Sequence, residues 1–265
     1  MNKTYKFGFW ILSGCLAILT GCYTVPETGR TAINFFGTSY EVTLGLSEFN
    51  KIKRQSPLSN DPVMVGRLQR VGWRISQVVG SDLPDAEWEF VLFDEPDTVN
   101  AFALPGGKVG VYSGIMEVAQ TEDELATLVA HEIAHITARH GSERLSHGVL
   151  ASMAGNFIQG ALEGDRDQET YLAAYGLGTT YGIMLPFSRS HELEADRIGL
   201  IYAAKAGYDP RAALDFWMKM NLIKDREEVS AFFSTHPSDL ERIDKLEALL
   251  PRALEIYEQN RIRYE

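Results

Sequence analysis

Cysteine is almost absent from this chain: there are two in 265 residues, Cys15 and Cys22, both within the first twenty-two positions. That excludes a disulfide framework for the body of the protein and, with it, a cysteine-based structural zinc site. Positive charge is scarce as well, 25 Lys and Arg against 36 Asp and Glu. A formal net charge of -11 argues against a nucleic-acid partner and against a body that lies flat on anionic lipid. The apolar run "FGFWILSGCLAIL", residues 7–19, falls short of the roughly 20 residues that a permanent membrane helix needs. Internal repeats and long low-complexity tracts are missing too. What is left is ordinary globular composition, with enough length for one elaborated domain or two small ones.

The apolar run is preceded by Lys3 and Lys6 and followed by "LTGC", residues 19–22. This is the layout of a secretory leader ending in a bacterial lipobox, where small residues precede a cysteine that is diacylated and becomes the new N-terminus. Residues 1–21 are then a cleaved signal peptide and Cys22 carries the lipid. Losing two lysines and no acid takes the charge from -11 to -13. The lipid, not the charge, holds such a protein to a membrane. Tyr23 rather than Asp follows the cysteine, which by analogy with enterobacterial sorting directs the protein to the outer membrane, facing the periplasm. Residues 22–40, with turn residues and no clear period, predict a lipidated N-terminus and tether. The folded domain is expected at 41–265.

Within that domain, helical patterns are expected near 40–55 and 62–80, and a strand at 87–95. Two extended runs around Pro105-Gly106-Gly107 make residues 100–116 a strand-turn-strand. Thr121 and Glu124 have capping-box spacing, which starts a helix that Gly141 should end. Residues 142–185 read as two helices broken near "EGDRDQE". A helix from Ser188 to Gly207 and another after Asp209-Pro210 follow. The final helix is expected to start at His236-Pro237. The class is α+β, helix-rich with one small sheet.

The stretch "LVAHEIAHITARH", residues 128–140, sets two histidines and a glutamate among apolar neighbours. Burying such groups without partners costs several kcal/mol each. On a helix His131 and His135 differ by about 40° in azimuth and about 6 Å in rise, so both imidazoles can point at one atom, while Glu132, rotated by about 100°, stands beside it. Imidazole nitrogen suits Zn²⁺, and the pattern His-Glu-x-x-His carries a mechanism: two ligands and a general base. Two ligands leave a catalytic zinc site incomplete. Glu192 and Asp196, four apart on the next polar helix, can supply a third ligand and a carboxylate that orients an imidazole.

These residues bring a resemblance into view. The histidine motif followed by "SRSHELEADRIG" (188–199), together with "NAFALPGG" (100–107), "VYSGIM" (111–116) and "STHPSDLERI" (234–243), resembles the M48 family of zinc metallopeptidases, in its Oma1-like branch. The likeness spans roughly residues 60–250. It implies a zincin-like fold with a small sheet lining the cleft, and one Zn²⁺ per chain held by His131, His135 and Glu192. Glu132 would be the catalytic base and Asp196 would orient His131. His236, expected at a helix N-terminus that lowers imidazole pKa, would either donate to the oxyanion or occupy the metal's open position. Arg242 is a candidate to reach the transition state. Asn100, Ala101, Phe102 and Ala103 are expected as an edge strand that takes an extended substrate by backbone hydrogen bonds. The hydrophobic hairpins of integral-membrane members are not seen. The implied activity is a lipid-anchored periplasmic endopeptidase for unfolded or misassembled envelope polypeptides. The alternative is a chaperone or assembly factor for outer-membrane proteins that uses the same cleft.

Overall fold

A computed structural model describes residues 21–83, 86–160, 188–237 and 240–263. Nearly all of the expected leader, and the second helix expected in 142–185, lie outside the described residues. In chain order the described elements are β1 (Cys22–Thr24), β2 (Thr31–Ile33), α1 (Thr38–Gln55), α2 (Pro62–Val79), β3 (Glu89–Phe93), β4 (Ala101–Leu104) and β5 (Lys108–Tyr112). They continue with α3 (Glu122–Thr137), α4 (His140–Gly160), α5 (Arg189–Lys205), α6 (Ala212–Ile223), α7 (Ser230–Thr235) and α8 (Leu240–Asn260). The fold is α+β, as the pattern predicts. Among the described residues no helix is long and apolar enough to cross a membrane.

The elements fall into two compact units. The smaller holds β1, β2 and α4. Here the structure departs from the expected tether: Cys22–Thr24 pairs antiparallel with Thr31–Ile33. The turn closes through Val25 N–H to the Arg30 carbonyl at 2.8 Å, and Gly29 takes a φ of 70° there. Arg30 then donates to both carboxylate oxygens of Glu143, each at 2.7 Å. The expected stop of α3 at Gly141 is also corrected. The helix ends at Thr137, and Arg139, at φ 55°, breaks it two residues before that glycine. Left-handed backbone is unfavourable for a bulky residue. Arg139 is held there by a hydrogen bond to the Phe36 carbonyl at 2.7 Å and by the Tyr23 ring 4.9 Å from its guanidinium.

The larger unit is built on a three-stranded sheet in the order β3-β5-β4, with β5 parallel to β3 and antiparallel to β4. Strand alternation sorts its side chains. Phe90, Leu92, Val109, Val111 and Ala101 are buried on the face that meets α2 and α3. On the other face Phe102 crosses over Gly110, where a Cβ would come within 2.4 Å of its ring. There it meets Phe93 and Phe49 at ring distances of 6.1 and 6.2 Å. β4 is the edge strand; among the described residues nothing pairs with its outer side.

α3 starts with the capping box that the sequence predicts. Thr121 Oγ1 accepts from Glu124 N–H, and Glu124 Oε2 accepts from Thr121 N–H, each at 3.1 Å. From Glu124 to Thr137 every residue is buried. The helix therefore has no solvated face for its histidines. Whatever satisfies them comes from neighbouring elements.

Candidate metal centre

Three positions on α5, Glu192, Asp196 and Gly199, follow the i, i+4, i+7 spacing that makes one helical stripe. That stripe faces α3 at His131. A Cβ on Gly199 would sit 2.8 Å from the backbone nitrogen of His131, so only glycine lets the two helix backbones approach this closely. The approach brings two carboxylates from α5 onto two imidazoles from α3. Gly199→Ala is expected to force the helices apart, costing about 1–3 kcal/mol of stability. Thermal melts with and without zinc check this, since the variant should also lose most of the stabilisation that zinc gives.

His131 Nε2 and His135 Nε2 are 3.1 Å apart. Glu192 places one oxygen 3.4 Å from His131 Nε2 and the other 3.3 Å from His135 Nε2. Four side chains, His131, His135, Glu192 and His236, bring ligand atoms within 4.8 Å of one another. In a tetrahedral zinc site with bonds of about 2.0–2.2 Å, neighbouring ligand atoms are about 3.3–3.5 Å apart. The set therefore fits a divalent cation. The donors fit as well, since two or three imidazoles and one carboxylate suit zinc.

The structure seats His236 differently from the sequence expectation. It is the C-cap of α7, and α8 is described from Leu240 onward. His236 Nδ1 lies 3.2 Å from Glu192 Oε1 and Nε2 lies 3.5 Å from Glu132 Oε1, so the ring spans the ligand and the expected base. Phe232 stacks on it at 4.7 Å.

Arg242 is buried and faces inward. Its Nε and Nη2 each donate to Asp196 at 2.7 Å, a two-pronged fork, while Nη1 is 2.9 Å from Glu192 Oε2. Asp196 Oδ1 in turn sits 3.0 Å from His131 Nδ1, although the ring is not aligned for a hydrogen bond.

None of Glu132, His131, His135, Glu192, Asp196, His236 and Arg242 exposes more than 4% of its surface. Water therefore does not screen their charges. Burial raises the Glu132 carboxyl, against the pull of His236 and His131. Burial would also raise Glu192 and Asp196. For Glu192 the surrounding histidines, His236 first, reverse the effect and hold it well below the ordinary value. Arg242 does the same for Asp196, more modestly. His131, which burial alone would lower, is pushed up to about 9 by Asp196 and Glu192. Glu132 Oε1 has no hydrogen-bond partner, and Glu192 Oε2 meets Arg242 Nη1 as an ion pair without an aligned hydrogen bond. Buried carboxylate oxygens in that condition point to a missing cation or water.

Of the expected substrate strand, the backbone and not the Phe102 side chain is presented outward. Tyr112 N–H donates to the Asn100 carbonyl at 3.0 Å. By antiparallel alternation Asn100, Phe102 and Leu104 bond to β5, leaving Ala101 and Ala103 directed to the open edge. Asn100 Oδ1 accepts the Ala101 N–H at 2.9 Å. His140 opens α4, and Tyr202 donates to Asp82 at 2.8 Å. Sequence reasoning missed Trp217 and Phe232, two rings that touch the cluster from α6 and α7. Nothing distinguishes them in the sequence from other core aromatics.

Comparison with known proteins agrees with this geometry. Residues 63–250 match the profile of peptidase family M48. The chain is 34% identical to the mitochondrial metalloendopeptidase OMA1 of Schizosaccharomyces pombe, over 93% of this chain and 72% of that protein. It is 30% identical to a putative beta-barrel assembly-enhancing protease of Vibrio cholerae, over 86% of this chain and 50% of that protein. To the beta-barrel assembly-enhancing protease of Escherichia coli it is 29% identical, over 74% and 41%. A profile match across most of the chain, on a buried cluster able to hold a metal ion, makes this protein a member of peptidase family M48 and a metalloendopeptidase.

Proposed function

We propose that the protein is a zinc endopeptidase, anchored through a lipid on Cys22 to the periplasmic side of the outer membrane, that cleaves damaged or misassembled envelope polypeptides. The observation that carries this reading is the ligand set of His131, His135 and Glu192 with Glu132 beside it. A bound zinc ion supplies Lewis-acid polarisation of the scissile carbonyl and acidification of the attacking water. Glu132 takes the proton from that water and returns it to the leaving amine, a role suited to a carboxylate whose pKa burial has raised. Asp196 holds His131, and Arg242 holds Asp196 and Glu192. An extended polypeptide adds to β4 through the Ala101 carbonyl and the backbone groups of Ala103, so binding is largely independent of side-chain sequence. Such tolerance suits an enzyme that acts on unfolded chains. Removing the metal with a chelator should abolish casein hydrolysis, and added zinc should restore it; activity that survives exhaustive chelation rejects the zinc assignment.

His236 acts as a latch in this reading. Its ligand atom lies within 4.8 Å of those of His131, His135 and Glu192, where it would hold a bound metal's remaining position against an incoming carbonyl, and Phe232 stacks against its ring. His236→Ala is then expected to speed hydrolysis of a short fluorogenic peptide by about tenfold, corresponding to a latch worth about 1.4 kcal/mol. A loss of about 10²–10³-fold would instead assign His236 to the oxyanion.

The envelope location draws on the "LTGC" motif, the exposure of Cys22 and the names of the Vibrio and Escherichia relatives. Those names also favour a second reading, in which the closed site holds outer-membrane proteins for assembly and cuts only when His236 withdraws.

A further inference from the structure

Trp217 belongs to no motif and donates to no ligand, yet it touches the metal cluster at two points. Its indole, 4% exposed, lies 3.8 Å from the guanidinium carbon of Arg242. Its edge-on contact with the His131 ring is at 5.2 Å and 70°. Phe216 at 5.0 Å and Phe232 at 6.0 Å fix the indole from either side. The path from Arg242 through Asp196 to His131 therefore begins and ends on one aromatic ring.

A guanidinium donates only in its own plane, and Arg242 donates there to Asp196 and, at 3.5 Å, to the Pro237 carbonyl, with Nη1 also 2.9 Å from Glu192 Oε2. Its flat face offers no hydrogen bond. A buried cation with an uncompensated face is costly, and an indole face is the side-chain surface that best attracts one. The ring also sets the plane of the fork. Tilting the guanidinium would pull one prong off Asp196 and free the carboxylate that stands against His131. We infer that Trp217 is a positioning residue for the metal ligands, acting through Arg242 and Asp196 on His131. The inference rests on the metal-binding reading of the cluster and adds to it a specific dependence on an aromatic face.

The test measures zinc affinity of the full chain by competition with a chromophoric chelator, independent of any activity. Trp217→Leu, which fills space without a π face, should weaken zinc binding about ten- to a hundredfold, the usual effect of losing a partner behind a metal ligand. Trp217→Phe should stay close to the unmodified chain. In an Arg242→Gln background, Trp217→Leu should cause no further loss. Should the metal-free melt of the Leu variant show no cooperative unfolding, Trp217→Met, which adapts to irregular space, takes its place. Equal losses for Phe and Leu, no loss for Leu, or additive losses with Arg242→Gln each overturn the inference while leaving the metal site standing. Failure of the unmodified chain to bind zinc at all overturns both.

Discussion

Glu132→Gln is expected to leave zinc binding intact and to reduce peptide hydrolysis by about 10²–10⁴-fold, the contribution of a positioned general base. The amide matches the carboxylate in size, so the buried pocket need not repack. It cannot accept a proton. Oε1 of Glu132 has no hydrogen-bond partner, so little structure depends on its charge, while the nearby His236 nitrogen at 3.5 Å tolerates a neutral acceptor. Casein cleavage at the unmodified rate would reject Glu132 as the base. The same variant separates the two functional readings in cells: if it still supports assembly of outer-membrane β-barrels, holding rather than cutting is the activity that matters.

Glu192→Gln should be as damaging for a different reason. Glu192 is fully buried and faces His131, His135, His236 and Arg242. Removing its charge takes away the one anionic ligand and leaves Arg242 with Asp196 as its remaining carboxylate among these contacts. Breaking one side of a buried ion pair costs about 3–5 kcal/mol, which corresponds to metal binding weakened by roughly 10²–10³-fold or more. Inductively coupled plasma mass spectrometry on the dialysed protein should find zinc well below one per chain, with hydrolysis lost in parallel. Full zinc occupancy in the variant would show that Glu192 is not a ligand.

Much of this site is legible in the sequence because its parts are local. The capping box fixes where α3 starts, and i, i+4 spacing aligns His131 with His135. Glu192 and Asp196, four apart, put two carboxylates on one face of the next helix. The misreadings arise where distant contacts outweigh local signals. Gly141 looks like a helix stop, but the break falls at Arg139, whose positive φ is held by Phe36 and Tyr23 from far earlier in the chain. His236-Pro237 looks like a helix start. The short helix Ser230–Thr235 ends there instead, and His236 is drawn to Glu192 and Glu132. The hairpin at Cys22–Ile33 has strands of three residues, too short to show a period. The sequence offers Arg242 as a candidate to reach the transition state, and only α8 shows it forked onto Asp196 beside Glu192.

Anomalous diffraction at the zinc edge from crystals of the zinc-loaded protein tests the central claim most directly. A single strong peak bounded by His131 Nε2, His135 Nε2 and a Glu192 oxygen, each within about 2.0–2.2 Å, is the result expected. A peak elsewhere, or one from which Glu192 stands several ångströms away, contradicts it.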